Sequence, residues 1–406
     1  MNEPIRKLKQ APESFSPKSK PVIISMVEQS QQNNDYPIEF ILPDKSTKIP
    51  PEVKHYGPAN NAQANEFAYF LDYSGQGYGF IFDGDWCKDR NYTIAEVFSG
   101  HATQPVCMEL PATTGEQKSF WGLMGFPYCQ KFFADSTKEN YMNEQSMKDM
   151  MKYALYTLEQ PVIIPQSDYF TGSVVIGYKE NGNILVVYRY LPYFMDLENN
   201  AQPITGEIKD WYKDSTSLLI AGKREKALSL FDIYRKGSRL IHERLVENIR
   251  GENRYYYDEW ESFLRMSKDE MIAKVKRTKL VPGSELYHNK KNDDTDENVW
   301  KFIYESYNNT WCIMSEARFE VMNFFRQMSE FSPELKEELK ELDNHFDYTQ
   351  DIMGMQLNKE IGDPVKPDVF ENQDVRNRMA DCVKRFREAD EKGLEMIESF
   401  LTKIKN

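Results

Sequence analysis

Cysteine and histidine are both scarce in this chain, with five of each among 406 residues. The thiols Cys87, Cys107, Cys129, Cys312 and Cys382 stand at wide, irregular intervals. An odd number at such spacing fits neither a disulfide framework nor a zinc site, so the thiols are expected to be reduced and the protein cytoplasmic. His55, His242, His288 and His345 are isolated in sequence, and no HExxH pair occurs. Positive charge is in deficit. Lys and Arg total 51 against 64 Asp and Glu, a formal charge of −13, which disfavours phosphate backbones and anionic lipid, so neither nucleic acid nor membrane is an expected partner. Long apolar runs are lacking too. None approaches a membrane span, and the island Val22–Met26 is too short for a signal-peptide core. Gly75, Gly77 and Gly79 form a GxGxG without the preceding strand and following helix of a dinucleotide site. Asp83, Asp85 and Asp89 lack the glycine and distal glutamate of a calcium loop. No cofactor and no metal are expected.

What is present organises itself around residues 161–190. Pro161–Pro165, Thr171–Lys179 and Asn183–Tyr190 read as three antiparallel strands, and Glu180-Asn181-Gly182 supplies a tight turn that needs positive φ. Val174, Val175 and Ile176, like Ile184 to Val187, are apolar in succession, which predicts strands covered on both faces. Earlier in the chain, residues 1–36 read as a flexible arm. Ile38–Leu42 is a short strand, Asn60–Tyr73 a helix and Asn143–Glu159 an amphipathic helix whose methionines are core. Phe80–Phe82, Pro105–Leu110 and Leu218–Gly222 read as further strands, and Tyr92–Phe98 as a short helix. From Lys223 the apolar period becomes helical and stays so: Arg224–Asn248, Tyr255–Met266, Val299–Phe331, a helix opened by Ser332-Pro333-Glu334, and Val375–Ile404. The expected architecture is α+β over residues 37–222, followed by a helical bundle over 223–406.

The order of these parts, with the helix from Asn60, SGHA at Ser99, PVII at Pro161, VVIGY ending in Gly177-Tyr178, ILVVYRY, and then GENRYYYDEWESFL and TWCIMSEARFEVMNFF, resembles the butirosin-biosynthesis-protein-H-like family over about residues 56–356. That resemblance implies a papain-like antiparallel-sheet domain with a central helix, followed by a helical C-terminal half, in a bacterial family that includes aminoacyl transferases. Papain-type chemistry needs a thiol at the N-terminus of the central helix, where the helix dipole and a histidine expose a thiolate. Here the helix opens with Asn60-Asn61-Ala62-Gln63, the histidine position falls at Thr171, and the orienting position falls at Tyr188 or Arg189.

Three functions compete on this reading. The first is a catalytically inactive papain-fold protein, linked to peptide or secondary-metabolite biosynthesis, that binds a small molecule, a peptide or a carrier-protein-bound acyl group. Its cleft candidates are Asn60, Asn61, Gln63, Trp86, Cys87, His101, Thr171, Tyr178, Tyr188 and Arg189, and a homodimer is an admissible assembly. The second is an active aminoacyl or peptidyl transferase, or an amide hydrolase, with a relocated thiol. Its nucleophile is Cys87, fourteen residues before His101, or another group. The third is a helical interaction module marked by a large apolar patch.

Overall fold

The computed structural model describes residues 30, 35–50, 55–56, 62–83, 86–103, 121–122, 124–126, 129–138, 140–164, 173–190, 203–214, 217–225, 228–282, 295–353 and 366–404. The chain divides into two compact units. One is mixed α+β; the other is helical.

The α+β unit is built on a seven-stranded antiparallel sheet. Its strands are β1 (Phe40–Ile41), β5 (Cys129–Phe133), β6 (Val162–Ile163), β7 (Val174–Lys179), β8 (Ile184–Tyr190), β9 (Pro203–Lys209) and β10 (Ser217–Ala221), in the order β5-β10-β6-β7-β8-β9 with β1 also on β7. A smaller three-stranded sheet holds β2 (His55–Tyr56), β4 (Trp86–Asp89) and β3 (Phe80–Asp83). The β7–β8 hairpin forms as the sequence predicts. Its turn residues Glu180, Asn181 and Gly182 have φ of 50°, 58° and 92°, a left-handed path that Asn and Gly tolerate best. Side chains from helices on either side of the hairpin in sequence hold that path: Lys152 Nζ, from the helix before it, donates to Asn181 Oδ1 at 2.8 Å, and Trp211 Nε1, from a helix after it, donates to the Gly182 carbonyl at 2.8 Å. Val174, Val175, Ile176 and Tyr178 are all at most 2% exposed, as strands covered on both faces must be.

Gly177 is needed for close approach. β1 pairs Phe40 with Tyr178 and Ile41 with Gly177, and a Cβ at Gly177 would stand 2.5 Å from the Phe40 carbonyl oxygen. β1 and β6 share one edge of β7: β6 takes its first half, through Val162 opposite Val175, and β1 takes its second.

Several boundaries differ from the sequence reading. β2, β4, β5 and β9 were not expected: DGDWCKDR is dominated by charge, and Pro203 and Gly206 interrupt the β-formers of PITGEIK. The helix expected from Arg224 begins at Leu230, after Ser229, whose Oγ accepts the Asp232 N–H. Arg224 instead joins the α+β unit, donating to the Met124 and Gln76 carbonyls and the Tyr78 hydroxyl. Ser332 stands at the N-cap position with Pro333 and Glu334 in the first turn, but its side chain makes no capping bond, and the segment it opens is a short 3₁₀ turn at Pro333–Leu335 ahead of the helix. The strand expected at Pro105–Leu110 lies outside the described residues.

The helices are α1 (Ala62–Tyr73), α2 (Arg90–Ser99), α3 (Glu144–Lys152, continuing as a π turn over Tyr153–Thr157), α4 (Trp211–Asp214), α5 (Leu230–Ile249), α6 (Arg254–Leu264), α7 (Lys268–Thr278), α8 (Asp296–Ser329), α9 (Lys336–Asp351), α10 (Pro367–Phe370) and α11 (Gln373–Lys403). α7, unexpected from the sequence, opens with a capping box between Ser267 and Glu270.

The helical unit does not begin at residue 223. It takes in residues 90–103, which the sequence reading placed in the first domain. All eight residues from Asn91 to Phe98 are buried. Thr93 Oγ1 donates to Glu320 Oε2 at 2.7 Å and accepts from Gln327 Nε2 at 3.1 Å. The following turn is fixed by Arg318 Nη1, which donates to the Ala102 carbonyl, and by Asn248 Nδ2, which donates to that of Thr103.

Candidate functional site

Residues 65–73 of α1 are buried at every position, although Asn65, Glu66 and Asp72 are polar. The apolar side is an aromatic cluster in which Phe67 and Phe70 meet the Trp121 ring edge-on at 4.8 and 5.3 Å. On the polar side, Asp72 Oδ2 accepts from the Tyr188 hydroxyl at 2.7 Å and Oδ1 accepts the Thr47 N–H at 3.0 Å. Tyr73 and Tyr69 pack edge-on against the Tyr188 ring. The core thus joins α1 to the sheet through one carboxylate and a tyrosine cluster.

Glu66 is the unusual titratable group of this helix. Burial pushes its pKa up to about 8, against the opposing attraction of Lys131. The folded state therefore keeps a proton that the unfolded chain releases at ordinary carboxylate pH. The stability this group contributes is full below about pH 4.5 and is lost as the pH rises through about 8. Across that window wild-type protein should lose stability relative to Glu66→Gln by up to about 1.4 kcal/mol per pH unit. Urea midpoints of the two proteins at pH 5, 7 and 9 test this, and parallel pH profiles would show Glu66 to be ionised in the fold.

Among the residues proposed from the sequence, the side chains that are described lie in separate places. Tyr188 lies on the helix-covered face of β8. Tyr178 is paired with Leu185, and strand alternation puts Leu185 on the face opposite Tyr188. The Tyr178 hydroxyl donates to the Pro37 carbonyl at 3.1 Å, and burial pushes its pKa up to about 12. Arg189 is half-buried on β8. His101 belongs to the helical unit, where its Nδ1 is 3.0 Å from Ser99 Oγ. Gln63 lies in α1, and Trp86 and Cys87 in β4, with side chains outside the described set. Asn60, Asn61 and Thr171 lie outside the described residues altogether.

A groove of about 430 Å³ opens at the other end of α1. Phe40 to Pro43 line one side; Tyr73 and Ser74 at the helix end, and Glu159 and Pro161 leading into β6, line the rest with Lys45. Lys45 is seated by its own N–H, which donates to the Tyr73 carbonyl at 3.2 Å. The Tyr73 hydroxyl donates to the Leu42 carbonyl at 2.8 Å, and its pKa is pushed up to about 12 by burial, with Asp44 adding to the effect. Sequence reasoning missed this groove. Its signal is IEFIL at residues 38–42, an edge strand with apolar residues on both faces.

Among the described residues no cluster of three or more His, Cys, Asp or Glu side chains is arranged to hold a metal ion, and no helix is long and apolar enough to cross a membrane. No family model, curated protein or solved structure matches the chain.

Proposed function

We propose that this chain is a papain-like α+β protein that works as a binder, without cysteine chemistry, and that its ligand is a peptide or small acyl-bearing molecule held in the groove at the C-terminal end of α1. The observation that carries this reading is the groove itself. At about 430 Å³ it falls within the roughly 300–1,000 Å³ of small-ligand sites. It joins apolar walls from Phe40, Leu42, Pro43 and Pro161 to two charged side chains, Lys45 and Glu159. The resemblance to butirosin-biosynthesis-protein-H-like proteins supports a papain-like arrangement of helix and sheet, and the amides of Asn60, Asn61 and Gln63 at the helix start support the loss of its chemistry.

Hydrogen exchange of the full chain with a panel of six-residue peptides and N-acyl amino acids tests the reading. Exchange should slow at residues 39–42 and 73–74 with at least one of them. Protection confined to other segments, or absent throughout the panel, overturns it. A thiol-directed acyl probe run in parallel separates the enzyme alternative, which requires one cysteine to acylate far faster than the rest.

A further inference from the structure

We propose that the occupant of the groove is an extended peptide segment of a partner protein that adds to the sheet as a new strand alongside β1, with apolar side chains at alternate positions, an acidic residue at Lys45 and a basic residue at Glu159. This rests on the groove being the binding site and adds the kind of partner and the way it is held.

The backbone of β1 is half used. Leu42 N–H donates to the Ile176 carbonyl at 2.8 Å, and the Ile38 carbonyl accepts the Asn181 N–H at 2.7 Å. Residues 38, 40 and 42 therefore turn their polar groups to β7. By strand alternation, those of Glu39 and Ile41 turn outward. The sheet has a step at this place. Beside β6, on the same edge of β7, the next lane is filled by β10 through Leu219 opposite Ile163. Beside β1, among the described residues, that lane holds no strand.

Exposed edges are normally blunted by charge, proline or a bulge. This one keeps Ile38 74% exposed and Ile41 50% exposed, with Tyr156 nearby at 44%. Pro37 and Pro43, at its two ends, lack donors, and Glu39 is the one charge between them. The edge is also pre-ordered, since the approach at Gly177 seats β1 firmly on β7, so an added strand need not organise it first. Strand addition takes affinity from main-chain hydrogen bonds and specificity from alternate side chains.

The charges give the peptide its polarity. Lys45 and Glu159 are exposed and, among the described residues, neither is in an ion pair. Opposite charges on an apolar groove match a segment that is acidic toward one end and basic toward the other. A second copy of this chain fits less well. Its β1 is backed by its own sheet, whereas the groove is walled by Tyr73, Ser74 and Pro161 and admits a single slim chain.

The probe is a labelled, acetylated peptide with valine at alternate positions, aspartate at one end and lysine at the other. It should bind the full chain and slow exchange at Glu39 and Ile41, whose N–H groups turn outward. N-methylation of alternate peptide amides should weaken binding about tenfold or more in one register and little in the other, because only one row of N–H groups faces β1. Lys45→Glu should weaken binding about two- to fivefold, and Lys45→Glu combined with Glu159→Lys should prefer the peptide with its end charges exchanged. If the peptide protects the groove but N-methylation in either register has no effect, strand addition is overturned while binding in the groove stands. If neither this peptide nor the wider panel protects the groove, the binding reading itself falls. If sedimentation shows a dimer whose dissociation exposes the β1 amides, and the peptide does not compete, the occupant is a second copy and the inference is overturned.

Discussion

Asp390→Ala should destabilise the helical unit by about 3–5 kcal/mol, because it leaves the Arg318 guanidinium buried without its counter-charge. Both side chains are fully buried. Arg318 Nε donates to Asp390 Oδ1 at 2.7 Å and Nη2 to Oδ2 at 2.6 Å, while the Tyr257 hydroxyl donates to Oδ2 at 2.9 Å. Burial alone would drive Arg318 toward losing its proton, yet the Asp390 carboxylate reverses the balance and raises its pKa above the ordinary value. The guanidinium also lies 5.2 Å from the centre of the Phe386 ring, so little water could solvate it once Asp390 is gone. Replacing the pair together, Arg318→Met with Asp390→Leu, should cost far less than Asp390→Ala, since no charge is then left buried. Urea denaturation followed by circular dichroism measures both. A midpoint for Asp390→Ala equal to the wild type would mean that the carboxylate does not hold the guanidinium in solution.

Val175→Asp should cost more than about 4 kcal/mol and leave little folded protein, because it buries an unpaired carboxylate at the centre of the large sheet. Val175 is 0% exposed, paired with Val162 on one side and Val187 on the other. Neither neighbour offers a hydrogen bond. Val175→Ala, which removes methyl groups without adding charge, should cost about 2 kcal/mol and so marks the packing share of the effect. Thermal melts of both variants decide the matter; an Asp variant that melts with the wild type would show this strand to be solvated.

The parts that could be read from the sequence were those whose signal is local. Glu180-Asn181-Gly182 declares a left-handed turn, and the β-branched runs beside it declare buried strands, because both depend on residues within a few positions. The methionines of α3 and the long apolar stripes of α8 and α11 were equally plain. β9 was not, since Pro203–Lys209 is held by its pairing with β8 rather than by its own composition. The membership of α2 was hidden for a related reason. Thr93 and Asn91 look like surface residues until Glu320 and Gln327, more than two hundred positions away, supply hydrogen bonds to Thr93. The groove depends on where β1 stops and β6 starts along a shared edge, a matter of register that no single segment encodes.

That distant membership of α2 bears on how the protein is made. A ribosome releases residues 90–103 long before α5 and α8, so this segment leaves the exit tunnel with none of its final neighbours available. It must stay unsatisfied while more than two hundred further residues are synthesised. The α+β unit is itself incomplete until β10 emerges, so neither unit can finish as an early, self-contained product of translation. The same order limits dissection. A fragment starting at residue 229 would carry α5 and α8 with the seat of α2 vacant and its polar lining exposed, and should aggregate unless residues 90–103 are supplied as a separate peptide.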